Sequence, residues 1–435
     1  MNSTENYNGG ENFDLRKLFA KCRRDNLENK VNYFNSFIKN LLDNREMQHL
    51  RCITSAADRE VEVEDTYTKE RKKMLMFGSN NYLGLANHPY VRRKTEEAIQ
   101  TFGVGIGGPP LLNGYTVLHR RLEERLASLK KKEDALIFSS GYGANVGLVT
   151  ALMNKNSIVF NDAYSHASFM DGIKMSGVNS LQFEHNNVHQ LNEMLNSQLT
   201  KNSTDVFVGV EGVYSMDGDT APLDKIVECC RKYDALLIVD DAHGTGSMGE
   251  RGSGTAEHYG VEDQVDITMG TFSKTFAVAG GFITASKPII NFLRFFARSY
   301  MFSASLPPTV IAAVLAGLDV IEQEKDLLKS FRDNINYVKA GLRNLGFEIN
   351  TQSGIISLRT PMGMNVRKAA YEFHKRGIFL NSIEYPAVPV SQQRFRISIM
   401  ATHTKADIDR LLEAIEEVWS IVDITGDSQI NQEAA

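Results

Sequence analysis

Short apolar runs alternate with longer segments of helical periodicity from about residue 95 onwards. Each run has the length of a strand and is followed by glycine, aspartate or serine. Repeated strand–loop–helix units predict a mostly parallel sheet with helices on both faces, and ligands of such sheets bind at the carboxyl ends of the strands. The runs that we interpret as strands are 135–138, 157–160, 206–210, 235–239 and 265–268.

The segments on either side of this region have other patterns. Phe34, Phe37, Ile38 and Leu41 recur at helical spacing and form one apolar stripe, which can pack on the body of the protein, on a second subunit or on a lipid surface. Residues 60–77 are typical of a small hairpin. Downstream, the patterns predict helices over 307–325, 326–345 and 404–421, and strands near 347–359 and 394–400.

These patterns divide the chain into five parts. We expect a disordered tail over 1–12, an N-terminal helical segment and small hairpin over 13–94, a large domain over 95–325, a smaller α+β domain over 326–422 and a loose tail over 423–435.

Composition limits the partners. The 435 residues carry 48 Lys and Arg against 53 Asp and Glu, a formal net charge of −5, which gives no electrostatic reason to bind nucleic acid. Apolar runs are shorter than a membrane span, so membrane contact is expected to be at most peripheral. The four cysteines have no metal-site spacing and indicate free thiols. Because the first residues also lack the apolar core of a signal peptide, we expect a cytoplasmic protein without a bound metal.

Lys274 lies in a turn of small residues, downstream of an apolar run that ends at Asp240 and Asp241. A lysine amine can hold an aldehyde cofactor as a Schiff base, and a carboxylate can keep a pyridine nitrogen protonated. This pair predicts an enzyme of pyridoxal 5'-phosphate (PLP). Strand alternation does not separate Asp240 from Asp241, so both remain candidates for the contact with the ring nitrogen.

Other strand ends carry polar side chains suited to the same cofactor. The small residues after 135–138 open a helix, whose free N–H groups and dipole favour a phosphate. Hydroxyls at Thr271 and Ser273 offer further phosphate contacts. His166 can stack on the ring, and His243 and Ser215 can bond its phenolic oxygen. A structural role for His166 remains equally open.

Taken together, these segments resemble the α-oxoamine synthases, which are PLP enzymes of the aspartate-aminotransferase fold (fold type I). The resemblance implies an α/β protein with a large, mostly parallel sheet domain that binds PLP and a smaller α+β C-terminal domain. It extends from about residue 60 to 420. The segments that carry it are 79–84, 140–141, 162–168, 212–219, 240–246, 270–274, 302–308 and 396–404.

The resemblance also implies a role for each candidate residue. Lys274 carries the cofactor and acts as base and acid, Asp240 pairs with the ring nitrogen, and His166 stacks on the ring. The remaining assignments are His243 and Ser215 to the phenolic oxygen, Ser140, Gly141, Tyr142, Thr271 and Ser273 to the phosphate, Arg396 and Asn81 to the amino-acid carboxylate, and Ser303 or Ser305 to the phosphate of the neighbouring subunit in a homodimer.

Members of this family join an amino acid to an acyl-CoA or an acyl carrier protein thioester, with loss of CO2. We expect a serine palmitoyltransferase-like enzyme of sphingolipid or sulfonolipid type, and the N-terminal extension favours that lipid role. The alternative is 8-amino-7-oxononanoate synthase of biotin biosynthesis. Residues 107–113 differ from both, since proline stands where bacterial serine palmitoyltransferases place an arginine. The amino acid therefore remains open among serine, alanine, glycine and cysteate.

Two further hypotheses share the same architecture. A catalytically inactive scaffold subunit of this family lacks the lysine, whereas Lys274, Asp240, His166 and Arg396 are all present here. A plain aminotransferase uses the same cofactor residues but transfers an amino group, and the segments 103–114 and 400–404 disfavour it.

Overall fold

The computed structural model describes residues 25–198 and 205–422. The tails predicted over 1–12 and 423–435, and the start of the predicted N-terminal helix, lie outside these residues.

The N-terminal part contains one helix and a hairpin. Its elements are α1 (Leu27–Asp43), β1 (Cys52–Ile53), β2 (Glu60–Glu64) and β3 (Arg71–Met76), followed by a 3-10 turn at Leu85–Asn87. The hairpin predicted over 60–77 is confirmed, because β2 and β3 pair antiparallel. Of the apolar stripe on α1, Phe37 and Leu41 are buried against the protein, whereas Phe34 is 42% exposed.

Helices and strands alternate in the central part. The first half contains α2 (Pro89–Phe102), α3 (Val117–Leu129), β4 (Asp134–Phe138), α4 (Gly141–Leu152), β5 (Ser157–Asp162), α5 (Ala167–Ser176), β6 (Asn179–Phe183) and α6 (Val188–Gln198). The second half contains β7 (Asp205–Glu211), α7 (Leu223–Lys232), β8 (Leu236–Asp240), α8 (Thr255–His258), a 3-10 turn at Glu262–Gln264, β9 (Ile267–Thr271), β10 (Gly281–Ala285), α9 (Lys287–Phe296), α10 (Arg298–Met301) and α11 (Pro308–Gln323).

Seven strands form the central sheet in the order β4-β10-β9-β8-β7-β5-β6. The pairs from β9 to β6 are parallel, and β10 runs antiparallel to both of its neighbours. The five predicted apolar runs all overlap strands of this sheet. We did not predict β6 or β10. The edge strand β6 is mostly exposed and therefore has no apolar run, and β10 begins with glycine directly after Gly280.

Both faces of this sheet are covered. One core includes Leu136 of β4, Leu148 of α4 and Ile238 of β8, and the other includes Phe160 of β5 and Leu237 of β8. Burial on both faces explains why the central strands are continuous apolar runs instead of alternating ones. The α/β fold class with a large, mostly parallel sheet is confirmed.

The C-terminal part is built on a small antiparallel sheet. Its elements are α12 (Lys325–Asn344), β11 (Ile355–Arg359), α13 (Val366–Lys375), β12 (Ile378–Phe379), β13 (Asn381–Ile383), a 3-10 turn at Val390–Gln392, β14 (Arg394–Ser398) and α14 (Lys405–Val422). Strands β11, β14 and β13 form the sheet in that order. Strand β12 instead pairs parallel with β3, which joins this part to the N-terminal hairpin. Within the described ranges, no helix has the length and apolarity that a membrane crossing needs.

Candidate active site

The carboxyl ends of four neighbouring strands place polar residues along one edge of the central sheet. Strands β5, β7, β8 and β9 end at Asp162, Glu211, Asp240 and Thr271. Because these strands are parallel and adjacent, their ends open into the same space. Lys274 follows β9 and is partly buried there.

The structure separates the two carboxylates at the end of β8. Asp241 forms a buried ion pair with Lys130, with Oδ2 and Nζ 2.7 Å apart. It also accepts hydrogen bonds from the hydroxyl and the backbone N–H of Thr255. Asp241 is therefore fully engaged with the protein. Asp240 is also buried, but its hydrogen-bond partners are neutral groups, the amide of Asn145 and the backbone N–H of Ala242.

Asp240 belongs to a chain of hydrogen bonds that reaches His166. The amide of Asn145 donates to Asp240 Oδ2 at 2.7 Å and to Ser168 Oγ at 2.9 Å. Ser168 Oγ in turn lies 2.7 Å from His166 Nδ1. Burial raises the pKa of Asp240, against the lowering effects of the Asn145 hydrogen bond and the charge of His166. A cation placed next to this carboxylate would stabilise its ionised form.

Lys274 lies among charged groups of both signs. Burial lowers the pKa of its amine, and the positive charge of Arg396 lowers it further, while Asp240 and Glu211 act in the opposite direction. A lowered pKa leaves more of the amine neutral near pH 7, which is the form that attacks an aldehyde or accepts a proton.

Arg396 reaches the site from β14 of the C-terminal sheet. Its side chain is buried, and its Nε donates to the backbone oxygen of Ser215 at 2.6 Å. Its Nη1 donates to Asn80 Oδ1 at 3.0 Å and to Ser398 Oγ at 3.1 Å. These contacts fix the plane of the guanidinium and engage Nε and Nη1, which leaves Nη2 to donate to a carboxylate.

His243 is buried three residues after Asp240. Its Nδ1 lies 2.7 Å from the hydroxyl of Tyr82. Burial lowers its pKa well below the ordinary value, and the positive charges of Lys274, Arg396 and His166 add to the effect. His243 is therefore a neutral imidazole in this site, held in orientation by Tyr82.

At the far end of the site, the N-terminus of α4 lies close to the end of β9. Phe138 and Thr271 both lie opposite Gly281 in the sheet register, which brings the loop after β4 beside the loop after β9. Ser140 caps α4 by accepting from the backbone N–H of Gly143 at 2.9 Å. The hydroxyls of Thr271 and Ser273 lie 2.9 Å apart.

Comparison with known proteins agrees with this geometry. Residues 72–415 match the profile of the aminotransferase class I and II family. The chain is 40% identical over 358 residues to 8-amino-7-oxononanoate synthase of Geotalea daltonii, covering 82% of this chain and 91% of that protein. It is 35% identical over 399 residues to serine palmitoyltransferase of Sphingobacterium spiritivorum, covering 92% and 98%.

The chain belongs to the aminotransferase class I and II family. Within that family it is an α-oxoamine synthase, and PLP is its cofactor. A solved serine palmitoyltransferase variant from S. paucimobilis, with a bound PLP–myriocin aldimine, superimposes with a TM-score of 0.85 at 30% identity, and the match covers 92% of this chain and 100% of that one. The predicted fold type and the predicted cofactor are both confirmed.

The residues present fit PLP on independent structural grounds. A Cβ at Gly141 would lie 2.9 Å from Thr271 Oγ1, so only glycine allows the helix N-terminus to approach this hydroxyl. The first N–H groups of a helix have no partner within it, which leaves those of Gly141 and Tyr142 for a phosphate. Asn81 Nδ2 and Glu211 Oε1 are buried without a hydrogen-bond partner, as expected beside a polar ligand.

Three predicted residues make contacts that the sequence pattern did not indicate. The side chain of Tyr142 is 48% exposed and donates to Asp171, so only its backbone faces the phosphate end. Asn81 accepts the backbone N–H of Ala86, and its neighbour Asn80 contacts Arg396 instead. Ser305 donates its backbone N–H to Gly108 outside the strand-end space.

Sequence reasoning missed four residues of the site. Asn145 lies inside α4 and Tyr82 in a loop, and each acts through contacts with residues distant in sequence. Asn80 lies within the segment 79–84, and Glu211 lies between the predicted strand 206–210 and the segment 212–219, and their residue types alone did not distinguish them from structural positions. For Glu211, the signal was a carboxylate at the end of a buried strand, the same signal that identified Asp240.

Proposed function

We propose that this chain condenses an amino acid with an acyl thioester, releasing CoA and CO2 and forming an α-amino ketone, in the manner of serine palmitoyltransferase. The observation that carries the proposal is the meeting of Lys274, Asp240 and Arg396 at one strand edge, in a chain related to enzymes of this type. The lysine and the aspartate serve the cofactor, and the arginine provides an anchor for a carboxylate.

The amino acid is assigned to the space between Arg396 and Lys274. Protein oxygens hold Nε and Nη1 of Arg396, and we assign the substrate carboxylate to the donors that still face the site. Asn81, with its buried Nδ2 lacking a partner, supports a second contact to the substrate. With the carboxylate assigned there, we assign the α-carbon of the amino acid to the space beside the Lys274 amine.

Each polar group then has one task. When bound, PLP supplies an aldehyde that links to an amine and a ring that withdraws electrons from the α-carbon. Lys274 removes the proton from the α-carbon as a general base. Asp240 keeps a proton on the ring nitrogen, with Asn145 fixing the carboxylate. His166 offers its exposed ring face, and His243 and Ser215 are assigned to the phenolic oxygen.

The subunit arrangement is a further part of the proposal. We assign residues 303–305 to the phosphate site of a second copy in a homodimer. Ser305 Oγ is buried without a hydrogen-bond partner in the described chain, which supports a partner outside it. Three large side chains near residues 303–305 are exposed: Phe302 by 68%, Leu112 by 81% and Tyr115 by 44%. Phe302 adjoins these residues in the sequence, and Leu112 and Tyr115 lie in the segment of Gly108, which accepts the backbone N–H of Ser305. Exposed apolar and aromatic side chains of this kind are expected at a subunit interface.

We propose a cytoplasmic location because the cysteines of the described residues are free thiols. Cys52, Cys229 and Cys230 are free, which is usual in a reducing compartment. The domain boundaries at 94, 325 and 422 likewise remain a proposal.

The biotin-type activity is the second candidate, because an 8-amino-7-oxononanoate synthase shares 40% identity with this chain. We prefer the serine palmitoyltransferase type because the match to such an enzyme from S. spiritivorum covers 92% of this chain, against 82% for the biotin enzyme.

The test is a substrate panel on the purified holoenzyme. Serine, alanine, glycine and cysteate are each offered with palmitoyl-CoA or pimeloyl-CoA, and thiol release and CO2 are measured. We expect turnover with a long-chain acyl-CoA, and none in the Lys274→Ala variant. Activity confined to alanine with the pimeloyl thioester would move the assignment to the biotin enzyme. Amino transfer to a keto acid without CoA release would overturn the condensation itself.

A further inference from the structure

His185 lies in the turn after β6, between a carboxylate at the end of β5 and a carboxylate in the loop after β7. Its Nδ1 is 3.0 Å from Asp162 Oδ1, and its Nε2 is 2.8 Å from Asp219 Oδ2. An ionised carboxylate only accepts hydrogen bonds, so two such contacts require a proton on each ring nitrogen. His185 is therefore a cation that joins two anions.

Neighbouring groups hold this cation in place. The ring of Tyr164 stacks on the imidazole with centroids 4.2 Å apart and planes 19° apart, and Tyr214 meets it edge-on at 4.4 Å. Asn186 donates its backbone N–H to Asp162 and its amide to Asp219. Burial acts to lower the pKa of His185, but the hydrogen bonds and charges of the two carboxylates outweigh it and raise that pKa to about 9.

The two carboxylates sit on loops that the cofactor site depends on. Asp162 ends β5 and begins the loop that carries His166. Asp219 lies in the loop after β7, which carries Ser215. Through its contacts with Asp162 and Asp219, the turn after β6 binds both loops at once.

We propose that His185 is a positioning residue that clamps the loop of His166 to the loop of Ser215 and so fixes the spacing between them across the cofactor ring. His185 contacts neither the ring nor the substrate in this assignment, and it acts through Asp162 and Asp219. The inference rests on the roles given to His166 and Ser215 under the proposed function.

The experiment compares two substitutions of the same type. Glutamine in His185→Gln can donate to one carboxylate but has no second donor in position for the other. The control is His374→Gln: His374 on α13 is buried, and its Nε2 lies 2.8 Å from Asp65 Oδ2, away from the strand-end loops. Both variants lose a histidine–aspartate hydrogen bond, so a general loss of stability affects both.

The first readout is the dissociation constant of PLP from the apoenzyme, with the circular dichroism of the bound cofactor as a report on the ring environment. We expect His185→Gln to weaken PLP binding by about tenfold or more, the equivalent of one charge-assisted hydrogen bond, and to change the cofactor dichroism. His374→Gln is expected to leave both unchanged. Asp219→Asn removes the other end of the clamp and should reproduce the effect if His185→Gln does not fold.

A second readout needs no cofactor. Nitrogen-detected NMR of histidine-labelled protein at about pH 8, where an ordinary histidine is neutral, should show His185 with both nitrogens protonated. A neutral ring, or equal PLP affinity in the two glutamine variants, would overturn the clamp. His166→Ala and Ser215→Ala distinguish the failures: if neither weakens PLP binding, the proposed site itself is wrong, whereas loss in these two without loss in His185→Gln refutes the clamp alone.

Discussion

Lys130→Met is the sharpest test of how this chain distinguishes its two adjacent aspartates. Lys130 and Asp241 are 5% and 2% exposed, so solvent and salt screen their interaction very little. The ammonium also donates to Thr245 Oγ1 at 2.9 Å and to the carbonyl of Ser253. Methionine keeps about the same side-chain volume as lysine and removes only the charge and these hydrogen bonds.

The expected magnitude follows from the burial of the pair. Removing one partner of a buried ion pair costs about 3–5 kcal/mol, because the other charge is left without compensation. Asp241 retains two hydrogen bonds from Thr255, which places the loss near the lower end, at about 3 kcal/mol. That is a change of about a hundredfold in the unfolding equilibrium.

A matched control lies at the next residue. Lys131 Nζ is also 2.7 Å from a carboxylate, Glu262 Oε2, but the lysine side chain is 48% exposed. Lys131→Met is therefore expected to cost less than about 1 kcal/mol. Equal contact distance and unequal exposure make the pair of variants a direct test of burial.

The assay is urea unfolding followed by circular dichroism, for Lys130→Met, Asp241→Asn and the double variant. We expect the double variant to be more stable than Lys130→Met, since it contains no uncompensated buried charge. Asp240→Asn should lose turnover with little change in unfolding. The reasoning is refuted if Lys130→Met and Lys131→Met lose the same stability, or if Asp241→Asn loses turnover while the fold keeps its stability.

Three further predictions concern single side chains. Lys274→Ala should reduce turnover by at least about a hundredfold and abolish the absorption band of the lysine-linked cofactor, and retention of both would contradict its role. Arg396→Lys should raise the KM for the amino acid by about tenfold or more with a smaller change in kcat, measured by initial rates, because lysine lacks the planar guanidinium that the protein contacts hold towards the carboxylate. Burial raises the pKa of Glu123 to about 7, so its protonated form stabilises the fold below the ordinary carboxyl pKa, and this stability is lost as the pH rises through about 7. Glu123→Gln should remove that loss, and a variant with the unaltered pH dependence of unfolding would show that another group titrates.

Local pattern determined much of the fold. The central strands are buried on both faces, so each appears as an apolar run that needs no tertiary information. Helices such as α11 and α12 were bounded correctly to within a few residues, because proline at the first turn and apolar periodicity are local signals. Strand β6 was missed because it is mostly exposed at the sheet edge, so its composition carries no apolar run and its place depends on pairing with β5.

The sequence alone identified Lys274 and the strand-end polar residues as candidates, because residue type and position after a strand are both visible there. Only the tertiary structure decided between Asp240 and Asp241, since the difference is Lys130, 111 residues before Asp241 in the chain. The same holds for Tyr82 beside His243 and for His185 between its two aspartates. Hydrogen bonds and ion pairs depend on distance in space, and folding brings together groups whose separation along the chain carries no signal.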